Sequence, residues 1–146
     1  MNSPFAKSEG TVPAQAPIRV LVVDDSAFVR FTITKHLAEK SDIQVVGAAR
    51  DGVEALELIE KYQPDVITMD VEMPRLDGLS TLKRIMESKP RPVIMLSSLT
   101  SEGAVETIQA LTIGAVDFTT KPENKANISQ VMDEVANKIR RAAKAR

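Results

Sequence analysis

Five short apolar runs punctuate this chain: Ile18–Val23, Ile43–Ala49, Val66–Met69, Val93–Leu96 and Val116–Phe118. They are rich in β-branched residues, and their apolar positions follow one another instead of alternating with polar ones. Strands that read this way are buried on both faces, as in a parallel sheet. The segments between them switch to a helical period. Val29, Ile33 and Leu37 recur at i, i+4 and i+8 behind Ser26, a natural N-cap. Asp51, with Glu54 three residues on, approximates a capping box ahead of Ala55, Leu56 and Ile59. Pro64 stops that helix. Asp77 is positioned to cap a third helix that buries Leu79, Leu82 and Met86, and Thr100 or Ser101 opens a fourth that ends at Gly114. The last helix has the clearest stripe: Ile128, Val131, Val135, Ile139 and Ala142. Val45-Val46 followed by Gly47-Ala48-Ala49 reads as a strand running out into a loop.

Five β–α units predict an α/β fold, a doubly wound (βα)5 three-layer sandwich. Right-handed crossovers and one reversal of winding give the flavodoxin-like strand order 2-1-3-4-5. The expected organisation is a disordered leader over residues 1–17, with Pro4, Pro13 and Pro17 among small and polar residues, then a domain over 18–142 and the start of a linker or tail at 143–146.

Such a sheet brings the carboxyl ends of its strands to one edge, where ligands bind. Asp24 and Asp25 close the first run, Asp70 closes the third, and Lys121 follows the fifth in "VDFTTKP". Three crowded carboxylates repel one another and call for a cation, and an all-oxygen site suits a hard ion such as Mg²⁺. The lysine adds a positive charge suited to a phosphoryl group. Together these residues form the layout of an aspartate that accepts phosphate, because positioning and electrostatics carry most of phosphoryl transfer. Each residue also has an ordinary reading. Adjacent Asp residues at a strand end can cap the next helix, Asp70 alone is a strand-end Asp, and a surface lysine alone means little. Pro122 after Lys121 is compatible with a cis bond that aims the lysine. Ser97 and Ser98 end the fourth run, where a hydroxyl can donate to a phosphoryl oxygen.

Composition narrows the classes. The 146 residues include no cysteine, which excludes disulfides, thiol catalysis and zinc–thiolate sites, and the net charge of −1 supplies no field for nucleic acid or anionic lipid. Residues 1–17 lack a signal-peptide core, and no apolar stretch approaches the roughly 20 residues of a membrane span, so the cytoplasm is the expected location. The only histidine, His36, lies mid-helix in a solvent-facing or half-buried position, which removes a Ser–His triad from the strand-end site. No Gly-rich dinucleotide loop or P-loop is present. Lys138, Arg140, Arg141, Lys144 and Arg146 make the last turns basic, as suits a helix C-terminus. The methionines sit mostly at core-like positions.

Over about residues 18–142 the chain resembles a two-component receiver domain. The resemblance is carried by Asp24-Asp25, Asp70, the "MP" and "DG" of "DVEMPRLDG", Ser97, and Lys121-Pro122. "VLVVDDSAFVR", "TMDVEMPRLDGLSTL" and "PVIMLSSLTSEGAVETIQAL" are similar to the receiver of the chemotaxis protein-glutamate methylesterase. The resemblance implies that Asp70 accepts phosphate from a histidine kinase. It also implies that Asp25, Asp70 and the main-chain carbonyl of Glu72 bind Mg²⁺ with help from Asp24, and that Lys121 and Ser97 contact the phosphoryl oxygens. Movement of Ser97 would let the ring of Phe118 turn inward; the plain alternative for Phe118 is a core aromatic. The moving surface would be the fourth helix, fifth strand and fifth helix, facing an effector. Glu72 and Leu99 would tune the lifetime of the phosphorylated form. The esterase domain of that enzyme has no counterpart here. The chain is therefore expected to be either a piece of such an enzyme or a stand-alone regulator, and its leader, long for such receivers, leans toward an individual variant. Two rival readings are a Mg²⁺-dependent phosphatase working through an aspartyl phosphate, and a pseudo-receiver that only binds partners. The phosphatase fits poorly, since Ser26, Ala27 and Phe28 follow the acid pair and supply no general acid.

Overall fold

A computed structural model describes residues 16–73, 75–98, 101–121 and 127–145. Most of the expected leader, the Thr100 alternative, Leu99 and the bond to Pro122 lie outside them. Ten elements alternate: β1 (Ile18–Val23), α1 (Ala27–Ala38), β2 (Ile43–Ala49), α2 (Gly52–Tyr62), β3 (Val66–Asp70), α3 (Gly78–Ser88), β4 (Val93–Ser97), α4 (Ser101–Ile113), β5 (Asp117–Thr120) and α5 (Ile128–Lys144). The five strands form one parallel sheet in the order β2-β1-β3-β4-β5, as the winding argument predicts.

The continuous apolar runs are explained by two cores. Leu21, Val23, Ile67, Met69, Val93 and Met95 face α2, α3 and α4, while Val20, Val22, Val66, Ile94 and Leu96 face α1 and α5. Successive side chains on a strand point to opposite faces, so a run without alternation serves both layers.

The caps behave as their side-chain chemistry requires. Ser26 Oγ accepts from Val29 N, Asp51 Oδ1 from Glu54 N and Asp77 Oδ1 from Ser80 N. The reciprocal arm of the box is displaced by one residue: Glu54 Oε1 takes the amide of Arg50 instead of that of Asp51. α2 ends at Gln63 in the left-handed region just before Pro64, and Gly114 ends α4 with a φ of +138°.

Several sequence-based details differ. β2 does not run out at Gly47; it stays paired with β1 to Ala49 because the register shifts between Val20 and Leu21. The fifth strand is Asp117–Thr120, not Val116–Phe118, leaving Val116 in the preceding loop. In α3, Leu82 and Ile85 are the buried pair, and Leu79 and Met86 are only partly covered at the flanks of the stripe. The basic residues of α5 are engaged in part: Arg140 pairs with Asp42, and Lys138 with Glu134 and Asp117. Among the described residues no helix is long and apolar enough to cross a membrane.

Candidate functional site

Asp24 sits one residue past β1 and is fully buried, held from three directions. Its Oδ1 accepts the amide of Ser26 at 2.9 Å, its carbonyl accepts from Arg30 Nη1 at 2.8 Å, and its own amide donates to Ala49 O. Capping of α1 therefore falls to Ser26, and the Asp24 carboxylate is left to face the strand ends. Asp25, next along, points to solvent. Asp70 is the last residue of β3 and also fully buried, with Oδ1 accepting from Glu72 N at 3.2 Å.

These three side chains converge. One oxygen from each of Asp24, Asp25 and Asp70 lies within 4.8 Å of the others, the spacing of a shared cation site. Lys121 reaches the same point from the end of β5: its Nζ is 2.8 Å from Asp70 Oδ1 and 3.4 Å from Asp24 Oδ2. The backbone sets that reach, since Lys121 N donates to Ser97 O and so stays registered on β4.

The charges are not balanced. Burial, then the neighbouring charge of Asp24, push the Asp70 carboxyl from 3.8 to about 7 against the pull of the Lys121 hydrogen bond. Burial also raises Asp24, against the Ser26 amide and Lys121. Burial alone would lower Lys121, but its hydrogen bond to Asp70 and the charges of both carboxylates hold it above its ordinary value. Asp70 Oδ2 is buried with no hydrogen-bond partner among the described residues, and Asp24 Oδ2, equally buried, has only the 3.4 Å ion pair with Lys121. A buried carboxylate oxygen without a donor is costly. The unpartnered Asp70 oxygen, in a cluster with the Asp24 and Asp25 carboxylates, fits a hard divalent cation.

Ser97 and Phe118 belong to the opposite face of the sheet, the one covered by α4. Thr107 Oγ1 donates its one proton to Gly103 O at 2.8 Å and lies 3.1 Å from Ser97 Oγ, whose hydroxyl supplies the proton of that second bond. Ser98 Oγ donates to Glu72 Oε1 at 3.3 Å. Phe118 is not a core aromatic: it is 42% exposed, because β5 is an edge strand and a cavity of about 400 Å³, lined by Ser97, Thr107, Ile108 and Thr120, separates its ring from α4. Lys138 covers that ring from 5.4 Å and donates to the Phe118 carbonyl. His36 is half-buried, 3.9 Å from Glu39 and away from the strand ends. Thr107 and Arg30 escaped the sequence reading, and Lys138 was read there only as a cation suited to a helix C-terminus. Thr107 and Lys138 offered only an ordinary helical threonine and a terminal lysine, while Arg30, six residues past Asp24 on α1, was discoverable in principle.

The family described as response regulator receiver domain matches residues 20–133. A protein-glutamate methylesterase/protein-glutamine glutaminase of Symbiobacterium thermophilum is 53% identical over 133 residues, 90% of this chain but 37% of that protein, so the chain spans little more than a third of such relatives. The response regulator domain of Thermotoga maritima CheB superposes with a TM-score of 0.81 at 52% identity, covering 88% of this chain and 97% of that one. CheY of Borrelia burgdorferi, in a complex with CheX, BeF3 and Mg²⁺, has a TM-score of 0.68 at 34% identity, covering 83% and 90%. The chain belongs to the response regulator receiver family and is homologous to the receiver domain of the methylesterase CheB.

Proposed function

We propose that Asp70 is the phosphoacceptor of this receiver and that its donor is the phosphohistidine of a histidine kinase of the chemotaxis type. One observation carries this reading: a fully buried carboxylate at the end of the central strand, with one oxygen unpartnered, lies between a lysine and an acidic pair. A carboxylate oxygen of Asp70 attacks phosphorus as the bond from phosphorus to the donor breaks. The leaving imidazole keeps the electron pair and takes up a proton from solvent. Lys121 offsets charge on the phosphoryl oxygens, and Ser97 donates its hydroxyl once it turns from Thr107. Asp25, Asp70 and the Glu72 carbonyl, with Asp24 assisting, would hold Mg²⁺, which supplies charge neutralisation of the transferring group. The Borrelia burgdorferi relative supports the pairing, since BeF3 has the size and charge of a phosphoryl group.

Loss of phosphate follows by attack of water on the same phosphorus within the protein, at a rate set in part by Glu72 and by Leu99, the latter outside the described residues. The output is a population shift. Ser97 leaves space for the Phe118 ring, and the face of α4, β5 and α5 changes. That face already exposes Val105, Ile108, Leu111 and Val116, an apolar surface suited to an effector. In the homologous enzymes the effector is the methylesterase domain, and this chain serves such an output in the cytoplasm. The phosphatase reading gains no support, because Ser26, Ala27 and Phe28 after the acid pair offer no general acid and Ser26 Oγ serves as the cap acceptor for Val29 N.

Intact mass after incubation with acetyl phosphate and Mg²⁺ tests the proposal. The parent gains one phosphoryl group and Asp70→Asn gains none. A parent that binds Mg²⁺ but gains no mass would defeat it.

A further inference from the structure

The Glu72 carbonyl is a main-chain group, so no rotamer can aim it. Its position depends on the whole loop between β3 and α3. The two ends of that loop are tied by backbone bonds, Val71 N to Leu96 O and Gly78 N to Val71 O, both at 3.0 Å. Its middle is tied to a different part of the chain, the start of α2. Gly52 N donates to Leu76 O at 3.3 Å, in space so tight that a Cβ on Gly52 would meet Leu76 O at 2.6 Å. One residue earlier, Arg75 Nη1 lies 3.1 Å from Asp51 Oδ2.

This ion pair is asymmetric. The Asp51 side chain is 4% exposed and the Arg75 side chain 56%. Asp51 has already given Oδ1 to the Glu54 amide, so Arg75 completes the coordination of a buried carboxylate. Arg75 does so with a φ of +66°, a left-handed conformation that side chains other than glycine rarely adopt. Strain of this kind persists where the surroundings over-determine it, and it clusters beside functional sites.

We infer that Arg75 and Asp51 are positioning residues for metal binding. Their ion pair ties Arg75 and Leu76 to the start of α2, and that tie keeps the Glu72 carbonyl presented to the cation. The inference rests on the phosphoacceptor reading above and adds two residues that touch neither metal nor phosphate. The exposed partner is the one to change. Arg75→Ala removes the pair, Arg75→Gly removes it and also relieves the positive φ, and Arg75→Lys keeps a charge within reach.

Mg²⁺ affinity measured by calorimetry is the direct readout, beside phosphoryl uptake from acetyl phosphate across a Mg²⁺ series and melting in EDTA. Arg75→Ala and Arg75→Gly should weaken Mg²⁺ binding about tenfold, the lower end of what loss of a ligand-orienting residue costs. Arg75→Lys should recover most of the affinity, and saturating Mg²⁺ should restore uptake in all three. Parent-like Mg²⁺ affinity in Arg75→Ala would overturn the inference while leaving the phosphoacceptor reading standing. So would weakened binding in proportion to lost folding in EDTA, which a purely structural pair would produce. A parent that takes neither Mg²⁺ nor phosphate would overturn both.

Discussion

Asp70 is the side chain whose surroundings most oppose its charge. Its carboxyl titrates near 7 in the folded protein against 3.8 for the free group. Between those values the folded state holds a proton that the unfolded state has shed, so this group's contribution to stability is greatest at low pH and falls as pH rises through about 7. Metal-free protein should therefore lose stability between about pH 4 and pH 7 more steeply than Asp70→Asn, whose amide carries no charge. Thermal melts in EDTA measure the difference, and parallel curves for the two proteins would contradict it. At pH 8, Mg²⁺ should raise the melting temperature of the parent by several degrees and that of Asp70→Asn by much less, since a ligand stabilises only the state that binds it. The exposed pairs Lys40–Asp133 and Arg140–Asp42 depress their carboxylates and titrate lower, but exposure makes their effect small.

At the scale of elements, helix starts carry the site. α3 begins directly behind the loop that follows Asp70, and its first residue, Gly78, packs against the backbone of Asp70. A Cβ there would lie 2.3 Å from Asp70 O and 2.8 Å from Val71 Cα. Neither contact is a flexible side-chain end, so the strand terminus or the helix must move. Gly78→Ala should cost about 2–3 kcal/mol, typical of overpacking, and should slow phosphoryl uptake even where the protein remains folded. Denaturant unfolding gives the first quantity and intact mass against time the second; a fold-stable variant with parent uptake would show that the Asp70 backbone tolerates the shift. The same crowding marks Gly52, where α2 begins beside Leu76 and Thr81. Two helix starts thus close around one loop.

For the whole molecule, the acidic cluster and the cavity under α4 are two neighbouring features of one sheet edge. Asp24, Asp70 and Lys121 gather at the ends of β1, β3 and β5, while Ser97 and Phe118 line the 400 Å³ cavity with residues of α4. Lys138 holds the ring on the outside through a contact of the cation–π kind. Such contacts are worth about 0.5–1 kcal/mol at exposed sites, a factor of roughly two to five in an equilibrium. Lys138→Met should therefore raise the inward population by about that factor and tighten binding of BeF3 with Mg²⁺ to match, because apparent affinity scales with the competent fraction. A titration read by amide hydrogen exchange in α4 and β5 measures both, and unchanged affinity would show that Lys138 does not bias the switch.

Much of this was legible in the residues alone. Continuous β-branched runs specified a parallel sheet, because only strands covered on both faces read that way. Ser26, Asp51 and Asp77 marked helix starts, because a cap is a local hydrogen bond over three residues. Winding rules then implied that Asp24, Asp25, Asp70 and Lys121 share one edge. What tertiary structure decided are the contacts between elements that no local period encodes. The outward ring of Phe118 depends on how Lys138 of α5 reaches over it, the Thr107–Ser97 bond on how α4 lies over β4, and the Arg75–Asp51 pair on two loops 24 residues apart. Periodicity and capping act within a few residues of chain, whereas burial, edge position and ion pairing arise only when distant segments pack together.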